Sequence, residues 1–262
     1  MDKVISADGT EIAYVAVGSG PVVVLVGGAF CDHNATAELA AGLADDVTAV
    51  SYDRRGRGES GDTLPYEVAR EVEDIQALIS HFGGRAALHG ISSGGGLCLV
   101  AAAAGLPLDA VSVIEPPYRI TDDAAVPDDY IETLDGFTAA GRPGDAVAYF
   151  MTAAVGQSQE DVDAARKTPM WPALEAMAHT LAYDARCMGG AASRLPSEML
   201  ASLEVPVLAV HSTASPAWLQ AGAEAVAKTV RNGELAGLAG SFHEVPVATL
   251  APVLRDFYRR NR

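Results

Sequence analysis

Residues Ala87–Leu97 read ALHGISSGGGL, and Gly90–Gly94 within them matches the pattern G-x-S-x-G. A short β-prone run, Arg85–His89, precedes the serine, and an almost wholly apolar helical run, Ser93–Ala104, follows it. Ser92 therefore belongs to a sharp strand-to-helix turn, where glycines permit close chain approach and the hydroxyl stands above the sheet. The alternatives are a glycine-rich loop without chemistry or a phosphate-binding loop, but neither phosphate pattern, GxxxxGK[ST] or GxGxxG, is present. We predict that Ser92 is a nucleophile.

Outward from this turn, short apolar runs alternate with stretches of helical period, a pattern typical of a parallel sheet covered by helices. Strands are predicted at Lys3–Ala7, Glu11–Val17, Pro21–Val26, Val47–Tyr52, Arg85–His89, Asp109–Glu115, Val205–His211 and Gly233–Leu238. Helices are predicted at Glu67–Phe82, Ser93–Ala104, Pro216–Val230 and Pro246–Tyr258. The fold class is therefore α/β.

The alternation stops between Pro116 and about Leu200, where only helical segments broken by glycines occur. This favours a helical insertion after the sixth strand. We expect a core domain made of residues 1–115 and 201–262, with residues 116–200 forming a helical lid.

The composition excludes several classes of protein. Of the 262 residues, 49% are hydrophobic and 20% are charged, which is incompatible with disorder. The net charge of −16 repels phosphate backbones and anionic lipids, so neither nucleic acid nor a membrane is an expected partner. Three distant cysteines and no signal or spanning segment predict a cytoplasmic protein. We expect a monomer or a homodimer.

The chain resembles the α/β-hydrolase superfamily over essentially its whole length. The resemblance rests on PVVVLVGGAF (21–30), YDRRGRGES (52–60), the serine turn, the lid and a late histidine. It implies a mostly parallel eight-stranded sheet flanked by helices, with an antiparallel strand at its start. The arginine-rich stretch is usually a structural turn in this superfamily, and direct binding of an anionic substrate is the alternative. We expect no cofactor and no metal, because the sequence has no HExxH, clustered Cys/His set or dinucleotide fingerprint.

The resemblance implies a general base after the last strand. The stretch LAGSFHEV (238–245) places His243 there, and a serine hydroxyl needs such a base at neutral pH. His33 and His211 remain candidates for a supporting polar role.

The acid of the triad departs from the commonest pattern. The usual position follows the seventh strand, but VPVLAVHSTASP (205–216) carries Ser215 there, and a serine cannot supply the charge. Glu115, at the end of the sixth strand in VSVIEPPY, resembles the acid of zearalenone-type lactonases in position. Asp184, Glu244 or no acid at all remain the alternatives.

The oxyanion hole implied by the resemblance uses two backbone N–H groups, those of Ser93 and Ala29, the latter after Gly27-Gly28. These glycines are alternatively a packing turn.

An apolar lid favours a moderately hydrophobic, neutral ester or lactone as the small-molecule substrate. We expect substrate contacts from Gly28, Phe30, Tyr183 and Trp171, the last because two prolines flank it in TPMWP. The favoured function is a serine esterase or lactonase working through an acyl-enzyme. A lyase or cyclase in a biosynthetic pathway and a non-catalytic binding protein are the alternatives.

Overall fold

A computed structural model of the chain describes residues 1–121 and 126–262. Its centre is an eight-stranded sheet with the spatial order β1-β2-β4-β3-β5-β6-β7-β8. The strands are β1 Asp2–Ile5, β2 Glu11–Gly18, β3 Val22–Val26, β4 Thr48–Tyr52, β5 Ala86–Ile91, β6 Leu108–Ile114, β7 Val207–Ser212 and β8 Gly233–Leu238. Strand β2 is antiparallel to both neighbours, and every other pair is parallel. The mostly parallel sheet predicted from the sequence is confirmed.

Helices cover both faces of this sheet. They are α1 Ala37–Leu43, α2 Val68–His81, α3 Ser93–Ala103, α4 Tyr130–Ala139, α5 Pro143–Tyr149, α6 Gln159–Ala165, α7 Trp171–Met177, α8 Leu181–Cys187, α9 Ser197–Ala201, α10 Ala217–Thr229 and α11 Val247–Arg260. Short 3₁₀ turns occur at His33–Thr36 and Ala178–Thr180, and a π-helical turn at Phe150–Ala154. None of the helices in the described ranges is long and apolar enough to cross a membrane.

Strand β3 shows why the central strands are continuous apolar runs. Val22, Val24 and Val26 pack into the core beneath α2, α3 and α10, while Val23 and Leu25 pack into the core beneath α1 and α11. Both faces of the strand are therefore buried, so no polar alternation is tolerated.

Six of these helices, α4 to α9, lie between β6 and β7. Most of them share a separate apolar core of their own, centred on Leu134, Val147, Val162 and Leu181. The described part of the insertion is helical, as expected, whereas its treatment as a separate lid domain stays a prediction.

Parallel strands end at the same edge of a sheet, and this edge collects the predicted site. The loops that follow β3, β5, β6 and β8 carry Ala29, Ser92, Glu115 and His243 respectively. Ligand sites of open α/β sheets form at this edge.

Candidate active site

Ser92 occupies the turn between β5 and α3 in a backbone conformation that residues other than glycine rarely adopt. Its φ is 55° and its ψ is −126°, outside both the helical and the extended regions. The flanking glycines are required by close packing, because a Cβ on Gly90 would collide with the carbonyl oxygen of Gly94. A Cβ on Gly94 would collide with that of Val26. The turn therefore holds the serine in a strained, fixed position at the N-terminus of α3.

Glu115 is the first residue after β6, and its side chain is completely buried. Its Oε1 accepts a hydrogen bond from the backbone N–H of Ser212 (2.7 Å). Its Oε2 accepts one from the backbone N–H of His243 (2.8 Å) and lies 2.8 Å from Nδ1 of the same residue. That ring contact has the length of a hydrogen bond, although its alignment falls short of strict hydrogen-bond geometry.

The environment of Glu115 favours its ionised form. Burial alone would raise the pKa of the carboxyl group, but the side chains of His243 and Ser215 and the N–H of Ser212 outweigh burial and lower it to about 2. The carboxylate is therefore charged at neutral pH beside the imidazole. Asp184 and Glu244, the alternative acids, make no described ion pair with His243.

Ser215, at the position where the family commonly has its acid, contacts Glu115 instead of replacing it. Its Oγ accepts a hydrogen bond from the N–H of Phe242 (2.6 Å), and its hydroxyl lies close enough to Glu115 to lower the pKa of that carboxyl group. A carboxylate only accepts, so the Ser215 hydroxyl acts on it as a donor. The serine thus lies between the acid and the residue before His243.

Ser92 and His243 line the same cavity, which has a volume of about 480 Å³. Gly28, Ala29 and Phe30 line it as well. No hydrogen bond between Ser92 and His243 occurs among the described residues. In serine hydrolases, contacts between nucleophile and base are often long without substrate and commonly tighten only in the complex with it.

The loop after β3 is held by arginines from the turn after β4. Arg54 donates to the carbonyl oxygen of Gly27 (3.2 Å), and Arg57 donates to that of Gly28. The C=O of Gly28 and the N–H of Ala29 belong to one planar trans peptide and point in opposite directions. The hydrogen bond from Arg57 to the carbonyl oxygen of Gly28 therefore fixes the direction of the Ala29 N–H, which is the expected oxyanion donor.

Asp184, on α8, joins this turn to the insertion. Its carboxylate accepts hydrogen bonds from Arg54 (2.7 Å), from Arg57 (2.8 and 2.9 Å) and from Oγ of Ser93 (2.7 Å). Burial would raise the pKa of Asp184, but the two guanidinium groups hold it below its usual value. Arg54 is also paired with Glu71 through two hydrogen bonds. The arginine-rich turn is thus an internal ion-pair network, which agrees with a structural role.

Two expected substrate contacts lie elsewhere. Trp171 packs in the core of the insertion, where its Nε1 donates to Glu175 (2.9 Å) and Arg166 stacks on its ring. Tyr183 stacks on Tyr66 and donates to Asp62 (2.9 Å). Neither residue lines the cavity, so the structure corrects both assignments to structural contacts.

Neither candidate for a supporting histidine lies on the cavity wall. His33 pairs with Asp53 at 2.9 Å, and His211 packs against Gly237. The described residues contain no group of three or more His, Cys, Asp or Glu side chains suited to a metal ion.

Arg119 and Trp218 are among the residues of the cavity wall that the sequence reasoning missed. Arg119 lies four residues after Glu115, and Trp218 lies three residues after Ser215. Proximity to the acid positions was therefore the available signal, although it does not say which way either side chain points.

Comparisons with known proteins support the same architecture. Residues 22–253 match the model of the alpha/beta hydrolase family. An alpha/beta hydrolase from Sphaerobacter thermophilus is 47% identical, with a TM-score of 0.91 over 98% of this chain and 100% of that chain.

Two more distant solved structures share the fold. A thermophilic esterase from Thermogutta terrifontis is 19% identical, with a TM-score of 0.75 over 99% of this chain and 98% of that chain. The esterase RhEst1 from Rhodococcus sp. is 19% identical, with a TM-score of 0.70 over 100% and 99%. The chain therefore belongs to the alpha/beta hydrolase family and is an enzyme of the hydrolase class.

Proposed function

We propose that this enzyme cleaves a carboxylic ester or lactone through an acyl-enzyme, with Ser92 as nucleophile, His243 as general base and Glu115 as the acid. The observation that carries the proposal is the 2.8 Å contact between Oε2 of Glu115 and Nδ1 of His243, beside a cavity that also exposes Ser92. A carboxylate in that position selects the tautomer whose Nε2 is free to accept a proton.

Acylation begins when Oγ of Ser92 forms a bond to the carbonyl carbon of the substrate. The hydroxyl proton passes to Nε2 of His243, and the imidazolium that results is stabilised by the charge of Glu115. The carbonyl oxygen becomes an oxyanion, which accepts hydrogen bonds from the N–H groups of Ala29 and Ser93. The bond to the leaving oxygen then breaks, and His243 returns the proton to it.

Hydrolysis of the acyl-enzyme repeats these steps with water. His243 removes a proton from the water as it attacks the acyl carbon, and the proton then returns to Oγ as Ser92 leaves. No cofactor is needed to balance either half of the reaction.

The cavity supports a small, moderately hydrophobic substrate. Its volume of about 480 Å³ lies within the range of small-molecule sites. Aromatic and aliphatic side chains supply much of its wall, among them Phe30, Val126, Tyr130, Phe150, Leu181 and Met188.

The test combines covalent labelling by a fluorophosphonate with turnover of a panel of para-nitrophenyl esters and small lactones. We expect labelling of the wild-type enzyme and turnover of at least one ester or lactone. Ser92→Ala should abolish both. Labelling without any turnover would contradict hydrolysis and favour a lyase or cyclase. Absence of labelling together with absence of turnover would favour a binding protein.

A further inference from the structure

The cavity around Ser92 also contains a positive charge that the proposed mechanism does not use. Arg119 is half-buried in the chain segment after β6, and it lines this cavity together with Trp218. Its Cζ lies 4.4 Å from the centroid of the Trp218 ring. Burial lowers the pKa of Arg119, so the charge sits in an environment that stabilises it poorly.

The hydrogen-bonding capacity of this guanidinium is largely unused by the described residues. Its side chain donates to the carbonyl oxygen of Ala154 at 3.4 Å, and no described carboxylate forms an ion pair with it. A guanidinium has five N–H donors in one plane. The Cζ lies over the Trp218 ring, and one N–H is directed at Ala154, so most of the donors are left available for a ligand.

The acidic groups on the cavity wall do not neutralise Arg119. Asp184 is already bound by Arg54, Arg57 and Ser93. Glu244 is exposed to solvent, where water and salt screen its charge. Arg119 is therefore a cation without a carboxylate partner on a mainly apolar wall, within the described residues.

We propose that Arg119 binds a free carboxylate on the substrate, so that the enzyme prefers esters or lactones that carry a carboxylate away from the bond that is cleaved. A carboxylate matches the edge of a guanidinium through two parallel hydrogen bonds. This inference rests on the proposed function and replaces the expectation of a neutral substrate, which came from the apolar character of the insertion.

The experiment uses two matched pairs of esters in which a methyl ketone replaces a carboxylate of similar shape. In the acyl pair, mono-para-nitrophenyl adipate is compared with the para-nitrophenyl ester whose distal carboxylate is a methyl ketone. In the leaving-group pair, para-acetoxybenzoate is compared with para-acetoxyacetophenone. The quantity measured is the ratio of kcat/KM for acid and ketone within each pair.

In at least one pair, we expect the wild-type enzyme to prefer the acid and Arg119→Met to lower the ratio by about tenfold or more. Arg119→Lys keeps the charge but loses the planar pair of N–H donors, so its ratio should fall between those of the wild type and Arg119→Met. Arg231→Met, which removes an exposed arginine from the loop before β8, at the edge of the sheet opposite the cavity, should keep the wild-type ratio. An unchanged ratio in Arg119→Met, or an equal loss on both members of each pair, would overturn the carboxylate site while leaving hydrolysis intact.

A second measurement does not depend on turnover. In the Ser92→Ala background, the dissociation constant of each ester is measured by calorimetry with and without Arg119→Met. If an acid binds more tightly than its ketone, and Arg119→Met removes this difference, the carboxylate site is supported whether or not any ester is hydrolysed. Absence of hydrolysis alone would refute only the proposed function. Equal affinities for acid and ketone in both pairs would overturn the site.

Discussion

Oε2 of Glu115 lies 2.8 Å from both the backbone nitrogen and Nδ1 of His243. One oxygen atom thus restrains the loop that carries the imidazole and faces the ring itself. The second oxygen is bound to the N–H of Ser212, so the carboxylate cannot rotate away without losing buried hydrogen bonds. A negative charge in this position is what an imidazolium needs during attack by the serine.

The first prediction compares Glu115→Gln with Ser215→Ala. Glutamine keeps the shape and one acceptor oxygen but loses the charge, and loss of the corresponding charge in a serine protease costs about 10⁴-fold in kcat, or roughly 5 kcal/mol of barrier. We expect a loss of that order for Glu115→Gln. Ser215→Ala removes a neutral hydroxyl and should cost less than about tenfold in kcat. Both values are to be measured on one good ester.

A larger loss for Ser215→Ala than for Glu115→Gln would contradict this assignment of the acid. A raised KM or a lowered melting temperature at nearly unchanged kcat would instead make Glu115 a structural anchor. Introducing Ser215→Asp into the Glu115→Gln enzyme should partly restore kcat, because Oγ of Ser215 binds the N–H of Phe242, next to His243, and its hydroxyl is close enough to Glu115 to lower the pKa of that group.

The second prediction concerns stability at acid pH. The pKa of Glu115 falls from an ordinary 4.5 to about 2 in the folded protein, which corresponds to about 3 kcal/mol for this fully buried group. Because the folded value is the lower one, this stabilisation is present above pH 4.5 and is lost as the pH falls towards 2. The difference in unfolding free energy between wild type and Glu115→Gln should shrink by about 1.5 kcal/mol between pH 6 and roughly pH 3.5.

Urea unfolding at a series of pH values measures this difference. Glu224→Gln, an exposed change on α10, is the matched control and should show no such trend. A constant difference between wild type and Glu115→Gln over the whole range would show that the charge of Glu115 is not stabilised by folding.

The sheet was predictable because its signals are local. Continuous apolar runs such as Pro21–Val26 are typical of strands buried on both faces, and turn residues such as Asp8-Gly9 mark their limits. Helix α1, Ala37–Leu43, was not predicted, because its seven residues are too few to establish a helical period. The positions of Ser92, Glu115 and His243 followed from motifs and chain order, whereas their distances did not.

The cavity wall was less predictable, because it depends on how the insertion packs. Prolines beside Trp171 suggested a ring that contacts the substrate, but the contacts with Glu175 and Arg166 hold that ring in the insertion core. Arg119 belongs to no sequence motif that would have marked it as a site residue. Its significance comes from its place beside Trp218, on a segment distant in sequence, and from its lack of a described carboxylate partner.

The third prediction concerns the nucleophile. Ser92→Ala should leave at most about a thousandth of wild-type turnover. This is the residual activity that oxyanion stabilisation and substrate binding supply without the nucleophile. The melting temperature should change little, since the Ser92 side chain makes no described hydrogen bond and alanine keeps the same Cβ at the strained φ of 55°. Turnover well above that level, measured on enzyme free of wild-type contamination, would require another nucleophile.

The last prediction tests the network that orients the oxyanion loop. In Asp184→Asn, Arg57 loses its carboxylate while remaining buried, because its other hydrogen bond goes to the carbonyl oxygen of Gly28. Breaking a buried ion pair from one side costs about 3–5 kcal/mol, so the urea midpoint should fall clearly. Asp256→Asn, which breaks exposed ion pairs on α11, is the control and should leave the midpoint nearly unchanged.

The same variant should also slow catalysis. Arg57 holds the peptide whose N–H belongs to Ala29, so a loosened arginine lets this donor turn away from the oxyanion. The loss in kcat should exceed about tenfold but stay below the 10²–10³-fold typical of removing an oxyanion donor, while KM changes less. Ser93→Ala removes one hydrogen bond from Asp184 and leaves Arg57 paired, so it should affect both quantities less. A large fall in the midpoint at unchanged kcat would limit Asp184 to a role in folding.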